Sequence, residues 1–409
     1  MILNVFKNTV LFFLLAFISC GSKTKNEIIK NNEILKQVQN EQPIIVGANQ
    51  TEAYLSLLNG KRVGIVANQT SVIFKNDNSY THLVDSLISL NVDVKKVFSP
   101  EHGFRGKADA GEIVKDGVDA KTGLPIISLY GNNKKPTAKQ LEGIDIVVFD
   151  IQDIGVRFYT YIYTLHYVME ACSELDIPVI VLDRPNPNGH YVDGPILEKG
   201  VESFIGMHPT PIVYGMTNGE YAQMIIGEHW LENNASCNLT VIPLLNYTHN
   251  SAYSLPIRPS PNLPNDKSVN LYPSICLFEG TNVSEGRGTE LQFQIFGSPF
   301  LDKNIYNYTF IPKPNFGSKN PKHKNMLCYG SDVSGVNNLS ALNLKWLINA
   351  YKNSTKKEAF FIPFFSKLAG THTLQKQIEA GMTEAEIKAT WQEDLDAFKK
   401  TRSKYLIYK

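Results

Sequence analysis

Four apolar runs of this chain each end abruptly in a cluster of carboxylates, arginines, asparagines and glycines. The runs end at Phe98, Phe149, Leu182 and Phe278. The polar and aromatic side chains that follow them, and that we take as site candidates, are Glu101, His102, Arg105, Asp150, Asp153, Arg157, Tyr159, Asn186, Glu279, Glu285, Arg287 and Glu290. Carboxylates transfer protons, and arginine binds carboxylates through paired hydrogen bonds. These residue types together indicate an enzyme that acts on a polar, partly anionic ligand.

Glu101 is the first candidate for a catalytic acid. Pro100 before it and Gly103 after it predict a tight loop directly behind a buried strand. Partial shielding from water favours the protonated form of a carboxyl group, which suits general acid catalysis. The alternative is a loop carboxylate that caps a backbone turn. His102 either orients Glu101 or a substrate hydroxyl, or makes only a structural hydrogen bond.

The second cluster holds two aspartates and an arginine. Asp150 either contacts the substrate or caps the following helix, as aspartates at such positions often do. Arg157 stands beside Tyr159 and other aromatic residues, a combination that suits a sugar face flanked by a carboxylate. A surface ion pair is the alternative for Arg157.

The third and fourth clusters are richer in turn residues. Asn186 lies in a proline- and asparagine-rich turn and either reaches a ligand hydroxyl or serves only the turn. In the fourth cluster Gly286 and Gly288 permit close approach of the backbone to a ligand. We expect this fourth cluster to face the other three from a second domain, because clefts between domains are favoured ligand sites.

The apolar runs predict the elements that position these side chains. Predicted strands cover residues 62–68, 93–98, 126–129, 144–151, 178–182 and 239–245, and predicted helices cover 81–90, 137–141, 161–175 and 217–231. This alternation is typical of an α/β fold with a doubly wound parallel sheet, which carries its site at the carboxyl ends of the strands. The first strand lacks the glycine fingerprint of dinucleotide-binding proteins, which counts against an NAD enzyme.

The character of the sequence changes after residue 250. Five prolines in residues 254–265 predict a rigid crossing into a second, smaller domain. Cys276 is predicted to lie in a short apolar strand, and helices are predicted at 341–351 and 371–380. Thr383 and Glu386 form the pattern of a capping box that opens a last helix. Its apolar face, predicted to be core, consists of Ile387, Trp391, Leu395 and Phe398.

The amino terminus has the pattern of an export signal. A basic residue, a short apolar run and small residues precede Cys20, and the run is too short to span a bilayer. We interpret residues 1–19 as a signal peptide and Cys20 as the lipidated first residue of an exported lipoprotein, with an ordinary signal peptide as the alternative. Residues 20–45 are polar and predict a tether. Two domains follow, at 46–250 and 251–409.

Composition disfavours several classes of partner and cofactor. The formal net charge of +1 offers no basic stripe for nucleic acid. Four cysteines follow Cys20, without paired or regular spacing, so neither a metal site nor a disulfide framework is supported. Buried free thiols are the favoured interpretation, and a single disulfide stays open.

Five motifs in this order are similar to those of the NamZ-type exo-β-N-acetylmuramidases. They are residues 99–106 (Ser-Pro-Glu-His-Gly-Phe-Arg-Gly), 150–157, 182–187, 261–264 (Pro-Asn-Leu-Pro) and 278–289. The resemblance covers about residues 46–409. It implies a Rossmann-like domain, a smaller α+β C-terminal domain and an active site in the cleft between them. It also implies that Glu101 is the catalytic glutamate and that no cofactor is needed.

The implied reaction removes terminal, non-reducing β-1,4-linked N-acetylmuramic acid from peptidoglycan fragments. We assign catalysis to Glu101, His102, Asp150, Glu285 and Glu290, and substrate contacts to Arg105, Asp153, Arg157, Tyr159, Asn186, Glu279 and Arg287. The lactyl carboxylate of muramic acid accounts for arginines in an acidic site. The second carboxylate is Glu285, Glu290 or Asp150, or the sugar's own acetamido group attacks instead.

Two other functions stay open at this stage. One is a non-catalytic surface module that binds muropeptides. The other is a metal-dependent hydrolase that uses Asp150, Asp153 and His102, although these residues show no recognised ligand spacing. We expect the membrane to be contacted only through the lipid, on the periplasmic or outer-membrane side.

Overall fold

The computed structural model describes residues 42–105 and 116–409. The predicted signal peptide, the lipidated Cys20, most of the tether and Gly106 of the first motif lie outside the described residues. Residues 45–409 form one compact unit. The predicted division of this unit at residue 250 stays a prediction.

A seven-stranded sheet organises the first half of the chain. Its strands are β1 (Arg62–Ala67), β4 (Asp93–Ser99), β5 (Gly117–Val118), β6 (Pro125–Ser128), β7 (Ile146–Asp150), β8 (Val179–Leu182) and β9 (Leu239–Ile242). Their order across the sheet is β5-β6-β4-β1-β7-β8-β9, and all neighbours are parallel except β5 and β6. Without the edge strand β5, this is the order of a Rossmann fold, so the predicted doubly wound sheet is confirmed.

The order of the strands in the sheet reverses between β1 and β7, which are neighbours although five strands separate them in sequence. Ligands of open α/β sheets bind outside the carboxyl ends of the strands at such a switch point. All five residues of β7 are buried, because the strand is covered on both faces. This explains why its sequence is almost wholly apolar.

Helices surround this sheet, and a short antiparallel pair accompanies it. The helices are α1 (Thr51–Leu58), α2 (Leu83–Ser89), α3 (Ala138–Leu141), α4 (Tyr161–Ser173) and α5 (Asn218–Gly227), and the pair is β2 (Val72–Phe74) with β3 (Tyr80–His82). Short 3-10 helices cover Gly47–Asn49 and Glu232–Asn234. Thr217 and Glu220 form a capping box that fixes the start of α5.

The second half of the chain adds a three-stranded antiparallel sheet and six helices to the described residues. The strands β10 (Ile295–Ser298), β12 (Cys328–Asp332) and β11 (Tyr308–Phe310) lie in this order. The helices are α6 (Asp266–Ile275), α7 (Lys345–Lys352), α8 (Phe364–Ala369), α9 (Thr373–Glu379), α10 (Glu384–Ala389) and α11 (Gln392–Arg402), with 3-10 helices at Cys276–Gly280 and Lys357–Ala359. The smaller α+β part is therefore confirmed.

The C-terminal helices are as expected, with one correction elsewhere. The capping box of Thr383 and Glu386 is present, and the four apolar residues predicted as core are buried. The strand predicted around Cys276 is wrong, because residues 276–280 form a 3-10 helix that continues α6 and packs against α8. All of its residues except Glu279 are buried, and periodicity cannot distinguish a buried strand from a buried helix in so short a run.

The four cysteines after Cys20 are free and buried in the structure, as expected; they are Cys172, Cys237, Cys276 and Cys328. Burial raises the pKa of the Cys237 thiol to about 12, so it stays protonated at neutral pH. Within the described ranges, no helix is both long and apolar enough to cross a membrane.

Candidate active site

A cavity of about 780 Å³ opens beyond the carboxyl ends of β4, β6 and β7, where the second half of the chain packs over the sheet. Its walls come from loops of both halves. The lining residues are Glu101, His102, Tyr130, Phe158, Tyr159, Thr160, Tyr161, Phe204, Ile205, Ser260, Asn262, Leu263, Tyr272, Glu279, Glu285, Arg287, Phe293, Gly317, Ser318, Lys319, Asn320, Pro321, Lys322 and Phe364. The volume is that of a site for a small ligand.

Glu101 lies in this cavity with both carboxylate oxygens engaged. The Tyr130 hydroxyl donates to Oε1 over 3.0 Å, and the Thr160 hydroxyl donates to Oε2 over 3.4 Å. Tyr130 follows β6, the neighbour of β4, and Thr160 immediately precedes α4. Burial, reinforced by the Glu101 charge, raises the pKa of Tyr130, so its hydroxyl stays a donor. Two segments therefore fix the orientation of one half-buried carboxyl group.

The residue after Glu101 has an unusual backbone conformation. His102 is buried at 4% exposure and has a φ of 70°, in the left-handed region that residues other than glycine rarely occupy. Such a conformation costs on the order of 1 kcal/mol and persists only where surrounding contacts impose it. It turns the chain directly behind Glu101 and places both side chains on the cavity wall.

Aromatic rings line one side of the cavity. Tyr272 packs edge-on against Phe158, Tyr159 and Phe293, with ring centroids 5.7, 5.9 and 4.7 Å apart. Burial raises the pKa of the Tyr159 and Tyr272 hydroxyls well above the ordinary value, so both stay neutral. A wall of uncharged rings with polar edges suits the apolar face of a sugar.

Charged residues from the second half of the chain lie next to these rings on the cavity wall. Arg287 donates from Nη2 to Glu279 Oε1 over 2.7 Å, and its Nε lies 3.4 Å from Glu285 Oε1. Burial lowers the pKa of Arg287, but the carboxylates of Glu279 and Glu285 outweigh it and leave the pKa raised. Arg287 also lies over the Phe293 ring at 5.0 Å.

Lys322 holds this charged wall together. Its ammonium donates to the carbonyls of Phe278, Thr281 and Val283 over 2.8–2.9 Å, and it lies 3.5 Å from Glu285 Oε2. Glu285 is only 3% exposed. One buried carboxylate therefore stands between two cations on the cavity wall.

Six of the twelve candidates from the sequence line the cavity: Glu101, His102, Tyr159, Glu279, Glu285 and Arg287. The other six do not, and their surroundings show why. Asp150 is fully buried and pairs with Arg184 through two bonds of 2.6 and 2.9 Å. Asp153 is also buried and accepts hydrogen bonds from the Tyr214 hydroxyl and the backbone of Gly155. Burial raises the pKa of Asp153 to about 7.

Arg157, expected at a ligand carboxylate or in a surface ion pair, makes neither contact in the structure. Its guanidinium is fully buried and donates to four backbone carbonyls, those of Pro195, Thr210, Leu368 and Ala369. The last two belong to α8, so Arg157 joins both halves of the chain. Burial lowers the pKa of Arg157 to about 10.

The remaining three candidates have other partners or lie on the surface. Asn186 donates to the carbonyl of Met216 and accepts from the backbone of Asn188. Arg105 pairs with Asp85 and Asp119. Glu290 is exposed and does not line the cavity.

Sequence reasoning missed Tyr130, Thr160 and Lys322. Tyr130 follows the predicted third strand directly, so the rule that selected Glu101 could have found it. Thr160 stands at the start of a helix, where its hydroxyl makes no capping bond and instead contacts Glu101. Lys322 carries no signal in the sequence, because its role depends on carbonyls about forty residues away.

Comparison with known proteins identifies the family. A sequence model described as the N-terminal part of exo-β-N-acetylmuramidase NamZ matches residues 63–267, and one for the C-terminal part matches residues 270–408. The chain belongs to the NamZ family. Among NamZ proteins, it is 39% identical over 378 residues to the peptidoglycan β-N-acetylmuramidase NamZ of Bacillus subtilis strain 168. This match covers 87% of this chain and 89% of that protein.

Solved structures agree with the NamZ assignment. Two crystal structures from Bacteroides fragilis NCTC 9343 are both described as DUF1343 family proteins. Each superposition covers 90% of this chain and 99% of the other chain. One is 47% identical with a TM-score of 0.83, and the other is 29% identical with a TM-score of 0.78. The NamZ fold described above is therefore the fold of these proteins as well.

Proposed function

We propose that this protein is an exo-β-N-acetylmuramidase, a glycoside hydrolase that removes terminal non-reducing β-1,4-linked N-acetylmuramic acid from peptidoglycan fragments. The observation that carries the proposal is Glu101, held by Tyr130 and Thr160 inside a cavity of sugar size in a chain of the NamZ family. Its partners are then muropeptides and the disaccharide of N-acetylmuramic acid and N-acetylglucosamine.

Glu101 acts as the general acid in this mechanism. It gives its proton to the glycosidic oxygen as the bond from that oxygen to the anomeric carbon breaks. A water molecule then adds its hydroxyl group to the anomeric carbon of the released sugar, and its other proton goes to a carboxylate of the site and replaces the proton that Glu101 gave. Tyr130 and Thr160 hold the carboxyl group in one orientation, so the proton is delivered to one place. Sequence alone leaves Glu285, Glu290 and Asp150 as candidates for the second carboxylate.

The geometry favours Glu285 among these three. It is the one that lines the cavity, and Arg287 and Lys322 lie 3.4 and 3.5 Å from its carboxylate oxygens. A charged carboxylate in that position would stabilise the positive charge that develops on the sugar ring. Attack by the acetamido group of the substrate remains compatible with the same arrangement.

The test is hydrolysis by the purified mature protein. We expect it to release 4-nitrophenol from the β-glycoside of N-acetylmuramic acid, and free N-acetylmuramic acid from the disaccharide. Saturable binding of the disaccharide without any released sugar would instead support the non-catalytic binding module.

Arg287 is proposed to bind the lactyl carboxylate of muramic acid. The bonds described above use its Nε and Nη2, and its guanidinium lies on the cavity wall. We expect Arg287→Lys, which keeps the charge but loses the planar fork, to raise KM for the muramic acid glycoside about 10-fold. The same substitution should change KM for the N-acetylglucosamine glycoside, which lacks the lactyl group, much less. Equal losses on both glycosides would assign Arg287 to the support of Glu279 and Glu285 instead.

The geometry does not favour a metal-dependent hydrolase built on Asp150, Asp153 and His102. Asp150 and Asp153 are held by other side chains and do not line the cavity with His102. Within the described residues, one group of three carboxylates could share an ion, formed by Glu170, Glu174 and Glu232. None of the three lines the cavity, and Lys135 pairs with two of them.

We infer that the enzyme is exported and anchored as a lipoprotein through Cys20, on the periplasmic or outer-membrane side. The support is the signal pattern of residues 1–20 and a substrate that lies outside the cytoplasmic membrane. We expect Cys20→Ser to move the protein from the membrane fraction of the native host to the soluble fraction, with unchanged activity per molecule. Retention in the membrane fraction would contradict lipidation at this residue.

A further inference from the structure

Asn262 lies at the cavity wall, and only one end of its side-chain amide makes a hydrogen bond. The residue is 1% exposed, and its Nδ2 donates to the carbonyl of Gly317 over 2.6 Å. Its Oδ1 is buried and has no hydrogen-bond partner among the described residues. Buried polar atoms of native proteins are nearly always paired, so an unpaired one on a ligand cavity indicates a ligand group.

The bond to Gly317 decides which end of the amide is available. A carbonyl oxygen only accepts hydrogen bonds, so the nitrogen of Asn262 must face it and the oxygen must face elsewhere. Gly317 has a φ of 100°, and a Cβ atom there would lie 2.9 Å from Pro261 Cβ and 3.1 Å from Asn262 Oδ1. Only glycine therefore permits this close approach. The ligand group that meets Oδ1 must be a hydrogen-bond donor.

We propose that Asn262 is a specificity-determining residue whose Oδ1 accepts a hydrogen bond from the terminal sugar, an inference that rests on the proposed function. On N-acetylmuramic acid the donors are the acetamido N–H and the hydroxyls at C4 and C6, because the lactyl ether occupies O3. A site that buries an acceptor rejects ligands that lack the donor, since the acceptor is then left unpaired.

Binding measurements on matched ligands test this assignment. The ligands are the methyl β-glycoside of N-acetylmuramic acid and three analogues: 2-acetoxy in place of 2-acetamido, 4-deoxy and 6-deoxy. Calorimetry compares Glu101→Gln, in which turnover is slow, with Glu101→Gln/Asn262→Ala. We expect one analogue to bind Glu101→Gln about 10- to 100-fold more weakly than the parent glycoside. In the double variant the affinity for the parent glycoside should fall by a similar factor. That analogue should then bind as well as the parent, so that its deficit, meaning its weaker binding relative to the parent, disappears.

The analogue whose deficit disappears identifies the donor. If the 2-acetoxy analogue loses its deficit, the acetamido N–H is the donor to Asn262 Oδ1. If the 4-deoxy or the 6-deoxy analogue loses its deficit, the donor is the hydroxyl at that carbon. Deficits that persist unchanged after Asn262→Ala, or an unchanged affinity for the parent, would overturn the proposal. Asn262→Leu, of similar volume, replaces the alanine variant if that variant does not fold.

Asn188 provides a matched control. It is also fully buried, donates from Nδ2 to backbone carbonyls and has an unpartnered Oδ1 within the described residues, but it does not line the cavity. Asn188→Ala should lower thermal stability and leave every analogue deficit in place. If the parent glycoside binds Glu101→Gln but wild type releases no sugar, the proposed function fails and this inference stands. If the parent binds neither protein, the inference fails as well.

Discussion

The Glu101→Gln variant is expected to hydrolyse the 4-nitrophenyl glycoside of N-acetylmuramic acid about 10²- to 10⁴-fold more slowly than wild type. Glutamine keeps the size of the side chain. Its amide oxygen can still accept from the Tyr130 hydroxyl, and its amide nitrogen can donate to the Thr160 hydroxyl. It cannot give a proton to the departing oxygen. The measurement is kcat/KM at the pH optimum of wild type, together with the thermal unfolding midpoint, which should stay within a few degrees.

Glu290→Gln is the control for this experiment. Glu290 belongs to the same set of sequence candidates but lies on the surface, outside the cavity. It should keep activity close to that of wild type. Full activity in Glu101→Gln would remove Glu101 from the mechanism, and a large loss in Glu290→Gln would mean that the cavity described here is not the complete site.

Asp150→Asn is expected to lower the free energy of unfolding by about 3–5 kcal/mol while leaving the chemistry intact. The substitution removes only the charge, and Arg184 is then a buried cation without its carboxylate. Such a loss is a large part of the stability of an ordinary domain. Chemical denaturation measures the effect, and kcat/KM at low temperature should fall by no more than a few fold.

The exposed pair of Arg62 and Asp145 gives the matched comparison. Their side chains are 51% and 31% exposed, so solvent screens the pair. Asp145→Asn should change stability far less than Asp150→Asn does. A catalytic role for Asp150 would show the reverse pattern, with activity lost at low temperature and stability retained.

The sheet could be predicted from the sequence because β1, β7 and β8 are nearly uninterrupted apolar runs, as burial on both faces requires. Such runs also locate the edge of the sheet where the site lies. That rule names the correct loops, but it does not give the direction of a side chain. Asp150 is the last residue of β7 and is still paired with Ala67 of β1, so its side chain is buried against the sheet with Arg184. Glu101 lies two residues beyond the end of β4 and is outside it.

The arginines show a second limit of the sequence. Arg157 and Arg287 both lie in glycine-containing segments, yet one is bonded to backbone carbonyls and the other to carboxylates on the cavity wall. The difference depends on α8, which follows Arg157 by about two hundred residues. No local pattern contains that information, and the same is true of Lys322.

The buried guanidinium of Arg157 limits how the two halves of the molecule can move. A hinge motion that separated α8 from the segment around Arg157 would leave the buried Arg157 guanidinium without the carbonyls of Leu368 and Ala369. We therefore expect the entrance to the cleft to keep a nearly constant width, so that glycan ends are selected by fit rather than by closure of the two halves around them.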